Sequence, residues 1–259
     1  MQKFLNVAIN AAQFAGTYIE QSADELGKVD YKGRADLVTD VDRTSEGIVM
    51  EHIHQAFPDH DILAEESTQD QRSHEFRWVV DPLDGTTNYV HKYQHYAVSI
   101  ALQHHDETII GVVYNPRSKE MFTAIRGEGA CLNDMAIHVS KTDELNQALL
   151  STGIPYEISV RWHKSMDLFK LFYSQTHGVR RDGSAALDLC YVASGRFDGF
   201  WELDLNPWDV AAGILIVQEA GGVISQFDGS ESTIYDDEIL ASNGRIHEKM
   251  RDVINTVPY

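Results

Sequence analysis

Cysteine is nearly absent from this 259-residue chain, with Cys131 and Cys190 the only two. They stand in no metal-like spacing, which excludes a disulfide framework and a zinc ribbon and leaves both as reduced core thiols. Lys and Arg are scarce as well, 21 against 40 Asp and Glu, for a net charge of −19. Affinity for phosphate backbones comes from clustered Lys and Arg, and no basic run occurs. Direct nucleic-acid binding and adsorption to anionic membranes are therefore not expected. The longest apolar runs fall well short of the ~20 residues of a spanning helix. The opening residues carry no signal-peptide pattern, so a soluble, cytoplasmic protein is expected. Several catalytic signatures are missing too: a phosphate-cradling Gly-x-x-x-x-Gly-Lys, a Gly-x-Ser-x-Gly elbow and a His-Glu-x-x-His zinc pattern. His52 and His54 fall on a helix surface, and His104 and His105 in a hairpin turn, so no zinc site is expected of them.

What is present is an ordinary globular composition, 43 % hydrophobic and 24 % charged, long enough for one large domain or two small ones sharing a cleft. Residues 2 to 21 carry a 3.6-period stripe at Phe4, Leu5, Ala8, Ala11, Ala12, Ala15 and Ile19, which predicts a first helix. Gly33 breaks the chain beyond that helix. Asp36 to Asp40 lead into a second helix, capped by Thr39 or Asp40 and ended by Pro58, with Ile48, Ile53 and Phe57 on its buried face. Asp40, Asp42 and Glu46 load its start with negative charge, which the helix dipole alone would explain. Ile62-Leu63-Ala64 reads as a short strand, with a hydrophilic loop from Thr68 to Glu75 after it.

Trp78-Val79-Val80 is a buried strand, expected to stop at Asp81-Pro82 because proline has no donor for the ladder. Asp84-Gly85 then supplies turn chemistry. Two carboxylates this close raise each other's pKa unless a cation sits between them, and oxygen-only ligands suit a hard cation such as Mg²⁺. A plain surface turn has the same composition. Tyr96–Gln103, Thr108–Asn115 and Lys119–Ile125 read as an antiparallel meander, with Ala136–Val139 as a returning strand. From about residue 140 strands and helices alternate. The expected architecture is an α+β region over 1–140 and then an α/β region over 141–259, as layers sharing one core.

Two helix starts carry polar candidates. Asp209, in Pro207-Trp208-Asp209-Val210-Ala211-Ala212-Gly213, fits a cap and a metal ligand equally, while its small neighbours suggest close backbone packing. Gly183-Ser184-Ala185 has the form of an anion or hydroxyl site at a helix N-terminus, although many helices begin Gly-Ser.

Asp81-Pro82-Leu83-Asp84-Gly85-Thr86-Thr87-Asn88, together with Trp208-Asp209-Val210-Ala211-Ala212-Gly213, resembles the two signature motifs of the inositol monophosphatase family. Leu37 to Asp42 and Ala64-Glu65-Glu66-Ser67 match its other blocks in order, with Ala64 where the family usually has Gly. The resemblance covers nearly the whole chain and implies a layered αβαβα sandwich and a Mg²⁺-dependent, lithium-sensitive phosphatase using two to three ions. By position, it implies that Glu65, Asp81 and the Leu83 carbonyl hold one ion. Asp81, Asp84 and Asp209 hold a second, and a third sits by Glu65 through waters. Asp42 and Thr86 would orient or deprotonate the attacking water, with Glu65 beside them. Gly85 and Thr86 would hold phosphate, Glu202 a substrate hydroxyl, and Gly183, Ser184 and Ala185 the leaving-group side, with Asp84 and Asp209 also among the substrate-binding residues. In-line attack by a metal-activated water needs no Cys or Ser nucleophile, and bound cations would give a −19 chain its affinity for phosphate. Inositol monophosphate is the first substrate expected. A nucleotide (NADP or a 3′-phosphonucleotide) or a sugar bisphosphate is the alternative, with Arg180 and Arg181 available to a second phosphate. A regulatory protein on the same fold, contacting a protein partner or RNA machinery, is the reading of another class. The resemblance also implies a homodimer.

Overall fold

A computed structural model of the chain describes residues 1–23, 29–31, 37–67 and 74–258. Gly33, Asp36 and residues 68–73 of the expected hydrophilic loop lie outside them. The first stripe folds as α1 (Gln2–Ser22), burying Leu5, Ala8, Ala11, Ala12, Ala15 and Ile19. A short antiparallel pair, β1 (Val29–Tyr31) with β2 (Leu37–Thr39), precedes α2 (Asp40–Ala56). Thr39 is the cap: its Oγ1 accepts from Val41 N at 3.1 Å, and the Asp42 carboxylate takes Thr39 N at 2.8 Å.

Among the described residues two larger sheets form. The first contains β3 (Asp61–Ala64), β4 (Phe76–Asp84), β5 (Ala97–His104), β6 (Glu107–Asn115), β7 (Glu120–Ile125), β8 (Gly129–Leu132) and β9 (Met135–Ala136), side by side in chain order. The short α3 (Thr86–Val90) stands between β4 and β5. β3 runs parallel to β4, and β4 to β9 form the expected antiparallel meander. The returning strand is shorter than predicted: pairing ends at Ala136, and Val139 N instead donates to Ala220 O at 3.2 Å.

The second sheet, in the order β11-β10-β12-β14-β13, contains β10 (Leu149–Thr152), β11 (Gly178–Arg180), β12 (Gly199–Leu203), β13 (Val223–Ser225) and β14 (Glu238–Ser242). Its helices are α4 (Val160–Gln175), α5 (Ala185–Ala193), α6 (Pro207–Glu219) and α7 (His247–Ile254). α1 and α2 cover one face of the first sheet. α5 and α6 fill the space between the sheets, and α4 with α7 cover the far face of the second. The layers are therefore αβαβα.

Period-two alternation explains how one strand serves two layers. Trp78 and Val80 of β4 pack with α1 and α2, while Val79 packs with α5 and α6. A sheet covered on both faces needs apolar residues on both, hence the unbroken Trp-Val-Val run. The tight packing expected around Ala211-Ala212-Gly213 is present. A Cβ on Gly111 would lie 2.8 Å from the Ala212 carbonyl, and one on Gly213 would lie 2.5 Å from Leu189. That closeness presses α6 onto the sheet and carries its first turn to the end of β4.

Candidate active site

In a regular strand Asp81 and Asp84 would point to opposite faces, because side chains alternate and three is odd. The pairing of β4 with β5 breaks between them: Asp81 opposes Ser99 and Asp84 opposes Ala97. Three steps on one strand against two on the other make a bulge, which turns both carboxylates toward one point. The expected strand end at Asp81-Pro82 is corrected accordingly. β4 continues to Asp84, with Pro82 inside the irregular segment, where a missing donor costs the ladder nothing. Ser45 Oγ of α2 donates to the Pro82 carbonyl at 2.8 Å and pins the bulge.

Asp209 arrives from the first turn of α6. Its carboxylate accepts from Asn206 N at 2.6 Å, closing a capping box, and also offers an oxygen within 4.8 Å of oxygens on Asp81 and Asp84. The two roles open in the sequence are thus compatible. Asp84 Oδ2 accepts from Ser184 Oγ at 2.5 Å and from Ala186 N at 2.9 Å. The N-terminus of α5, read as an open anion site, therefore receives the protein's own Asp84. Gly183, Ser184 and Ala185 line the cleft beside that contact.

One cleft of about 450 Å³ gathers Glu65, Asp81, Leu83, Asp84, Gly85, Thr86, Gly183, Ser184, Ala185, Glu202 and Asp209. Asp42 is the exception. It is 1 % exposed and stands behind Thr86, whose Oγ1 lies 2.7 Å from Asp42 Oδ1 and 3.0 Å from the Leu83 carbonyl. Gly85 holds the turn at φ 91, and a Cβ there would lie 2.9 Å from the His95 carbonyl. That is a conformation and a contact that glycine alone accepts comfortably.

Electrostatically the cleft is a concentration of like charge. Burial raises Asp81 well above the usual carboxylate range, and Glu65, Asp84 and Asp209 push it further. Asp209 is raised by burial and then by Asp84. Asp84 is raised by burial, against the lowering effect of its bonds from Ser184 and Ala186. Burial also raises Asp42, offset in part by its Thr39 and Thr86 partners. Glu202 is pushed up to about 8, first by burial and next by Asp188. Its carboxylate lies over Gly153, where a Cβ would come within 1.6 Å of Oε1. Among the described residues no Lys or Arg pairs with Asp81, Asp84 or Asp209. Their bonds come from neutral donors at Leu83 N, Ser184 Oγ, Ala186 N and Asn206 N. Oxygen-only and negatively charged, with no Lys or Arg paired to it among the described residues, this donor set fits a hard divalent ion.

Sequence reasoning missed Asp188, His95 and Asp182. Asp188 had a signal, as the one charged residue in the apolar run Ala185–Ala193, where it is 1 % exposed. His95 and Asp182 sit in connecting segments with no periodicity to mark them.

Comparison with known proteins agrees with this geometry. The sequence profile of the inositol monophosphatase family matches residues 1–258. An inositol-1-monophosphatase of Synechocystis is 45 % identical over 260 residues, covering 100 % of this chain and 91 % of the relative. A putative Nus factor SuhB of Neisseria meningitidis is 43 % identical over 258 residues, covering 98 % of this chain and 99 % of the relative. The crystal structure of extragenic suppressor protein suhB from Bartonella henselae superposes with a TM-score of 0.93 at 39 % identity, covering 97 % of this chain and 98 % of that one. With the sequence, the αβαβα layers and the carboxylate cleft in agreement, the chain belongs to the inositol monophosphatase family and is a phosphoric monoester hydrolase of that type.

Proposed function

We propose that this protein hydrolyses a small phosphate monoester, inositol monophosphate first among them, with Mg²⁺ as its cation. The observation that carries this reading is the meeting of Asp81, Asp84 and Asp209, with one oxygen of each within 4.8 Å of the others. The name of the Synechocystis relative, inositol-1-monophosphatase, supports the substrate. Glu65, Asp81, the Leu83 carbonyl, Asp84 and Asp209 are the groups that would hold two to three ions. When bound, Mg²⁺ supplies positive charge to the phosphate and the leaving oxygen and eases deprotonation of water near neutral pH.

The remaining tasks fall to the chain. Thr86 Oγ1 faces two acceptors, Asp42 Oδ1 and the Leu83 carbonyl. A hydroxyl has one proton, so donating it to Asp42 leaves both lone pairs free to accept a hydrogen bond from water. Asp42 then orients the water and takes up charge through Thr86, and its burial-raised pKa makes it a better base. The backbone donors of Gly85 and Thr86 are assigned to the phosphate, Glu202 to a substrate hydroxyl, and Gly183 to Ala185 to the leaving-group side. Residues 1–140 supply most of the proposed metal ligands, and 141–259 complete the site with Glu202 and Asp209. A homodimer belongs to the same proposal, supported by the exposed apolar side chains Ile158, Val160 and Tyr173. Lithium inhibition is part of it as well.

The position of Arg181 favours one second reading. It lines the same cleft and faces Glu202. A guanidinium there would suit a second phosphate, as in a sugar bisphosphate or a nucleotide. Phosphate release with and without Mg²⁺, for wild type and Asp84→Asn, tests the chemistry, and a substrate panel ranked by kcat/KM separates the two substrates. Undiminished activity in the variant would sink the mechanism. A protein inactive on every monoester would turn attention to a regulatory role, which the Nus-factor name of the Neisseria relative brings into view.

A further inference from the structure

Behind the cleft, His95 and Asp188 end in a buried gap that hydrolysis does not use. His95 precedes β5 and is 6 % exposed, and Asp188 lies in the first turn of α5 at 1 %. His95 Nε2 and Asp188 Oδ1 stand 3.8 Å apart, beyond hydrogen-bond reach, and neither atom has a hydrogen-bond partner among the described residues. Asp182 completes the group: one ligand atom from each of the three residues lies within 4.8 Å of the other two. Buried polar atoms are nearly always satisfied, so two bare ones facing each other call for something between them.

The spacing discriminates between candidates. A bridging water makes two hydrogen bonds of about 2.8 Å at an open angle and spans about 4.4 Å. A Zn²⁺-sized ion with bonds of about 2.0–2.1 Å spans donors about 3.3–4 Å apart. The donor set also differs from that of the cleft floor, because an imidazole nitrogen selects first-row transition ions over Mg²⁺. Burial pushes His95 below the ordinary imidazole value, which keeps the ring neutral and a lone pair available. Two carboxylates would balance a divalent charge.

We propose that His95, Asp182 and Asp188 form a second cation site, separate from the carboxylate cleft, for a divalent transition metal of the Zn²⁺ kind, with one position left to solvent. The loops it would join are already laced together, since Asn88 Nδ2 donates to the His95 and Asp182 carbonyls, each at 2.7 Å. The ion would fasten the segment before β5 to the segment that delivers Gly183 and Ser184, holding one wall of the cleft. The site stands whether or not the proposed substrate is right.

The experiment uses full-length protein stripped with a chelator, saturated with Mg²⁺ to occupy the oxygen-only positions, and then given Zn²⁺ alone. Wild type should retain one Zn²⁺ per chain by elemental analysis, and His95→Phe and Asp188→Asn should each retain none. Circular dichroism and a thermal melt report whether the variants fold. Should either variant unfold, Zn-edge anomalous diffraction from wild-type crystals decides. A peak between His95 and Asp188 supports the site, and an ordered water without anomalous signal, an empty gap, or equal Zn²⁺ in wild type and folded variants overturns it.

Discussion

On the cleft floor Asp81 and Asp84 are 2 % and 9 % exposed, and their carboxylates are gripped by Leu83 N, Ser184 Oγ and Ala186 N. At the lip, residues 154–157 and Asp204 to Asn206 line the same opening, yet Tyr156 is 52 % exposed. Asp204 sits at φ 64 with its N donating to the Asp237 carbonyl at 2.8 Å, and its side chain pairs with Arg161. The floor gathers a bulged strand and two helix starts. Under the proposed function the floor would carry the reaction, and the more exposed lip would bear on substrate choice. The division predicts that floor substitutions change kcat by orders of magnitude and lip substitutions change KM by small factors.

The largest effect should come from Asp84→Asn. Changes to groups that merely support metal ligands cost about 10–100-fold, so losing one of the proposed ligands should cost on the order of 10³-fold or more in kcat/KM, read from Mg²⁺-dependent phosphate release. The same substitution should raise the melting temperature of the metal-free protein, because it removes a charge that raises Asp81 and Asp209. A gain of 1 kcal/mol would appear as about 2–4 °C. Added Mg²⁺ should stabilise wild type more than the variant. Activity and stability moving the same way would break the floor's description.

Thr86→Ala comes next. It leaves every carboxylate in place but removes the hydroxyl between Asp42 and the cleft. A loss of about 10²–10³-fold in kcat, with KM nearly unchanged, is the size expected for a positioned proton-transfer group. A loss confined to KM would mean that Thr86 binds substrate and leaves water alone.

The floor was legible in sequence to the extent that its residues sit at element ends. Asp84 and Asp209 each mark a boundary that Gly85 or Pro207 announces locally, whereas Pro82 suggested an end at Asp81 that β4 does not have. What stayed hidden was the bulge, because the shift between Asp81 and Asp84 is set by β5 on the neighbouring strand. The engagement of α5 by Asp84 was hidden too, since it joins residues 100 apart in the chain. His95 and Asp188 show the limit most clearly: neither belongs to a motif, and only the fold brings them within 3.8 Å. Periodicity, in contrast, gave an α+β region followed by an α/β region, and the family resemblance implied the αβαβα layering.

Glu202 lies between floor and lip and should show it in pH dependence. Its folded pKa is about 8 against 4.5 for an ordinary Glu. Between those values the folded protein holds a proton that the unfolded chain has released. Its contribution to stability is therefore greatest below 4.5 and is lost as pH rises through 8. One such group contributes a slope of at most about 1.4 kcal/mol per pH unit. Denaturant midpoints of metal-free wild type should fall from pH 5 to 8 more steeply than those of Glu202→Gln. Parallel curves would place the Glu202 titration elsewhere.

Arg161→Ala should have the smallest effect, and for that reason it tests the division most strictly. Arg161 reaches Asp204 and, at 2.7 Å, Asp237, but no floor residue. Exposed pairs of this kind contribute about 0–1 kcal/mol and are screened by salt, so the melting temperature should drop by no more than about 2–4 °C. Without Arg161 the Asp204 side chain loses its ion-pair partner and its charge turns to the opening, without touching Asp81, Asp84 or Asp209. KM should rise about two- to threefold with kcat unchanged, and the wild type in ~0.5 M salt should shift the same way. A kcat that falls as far as in Thr86→Ala would show that the lip positions the reacting groups, and floor and lip would then have to be treated as one unit.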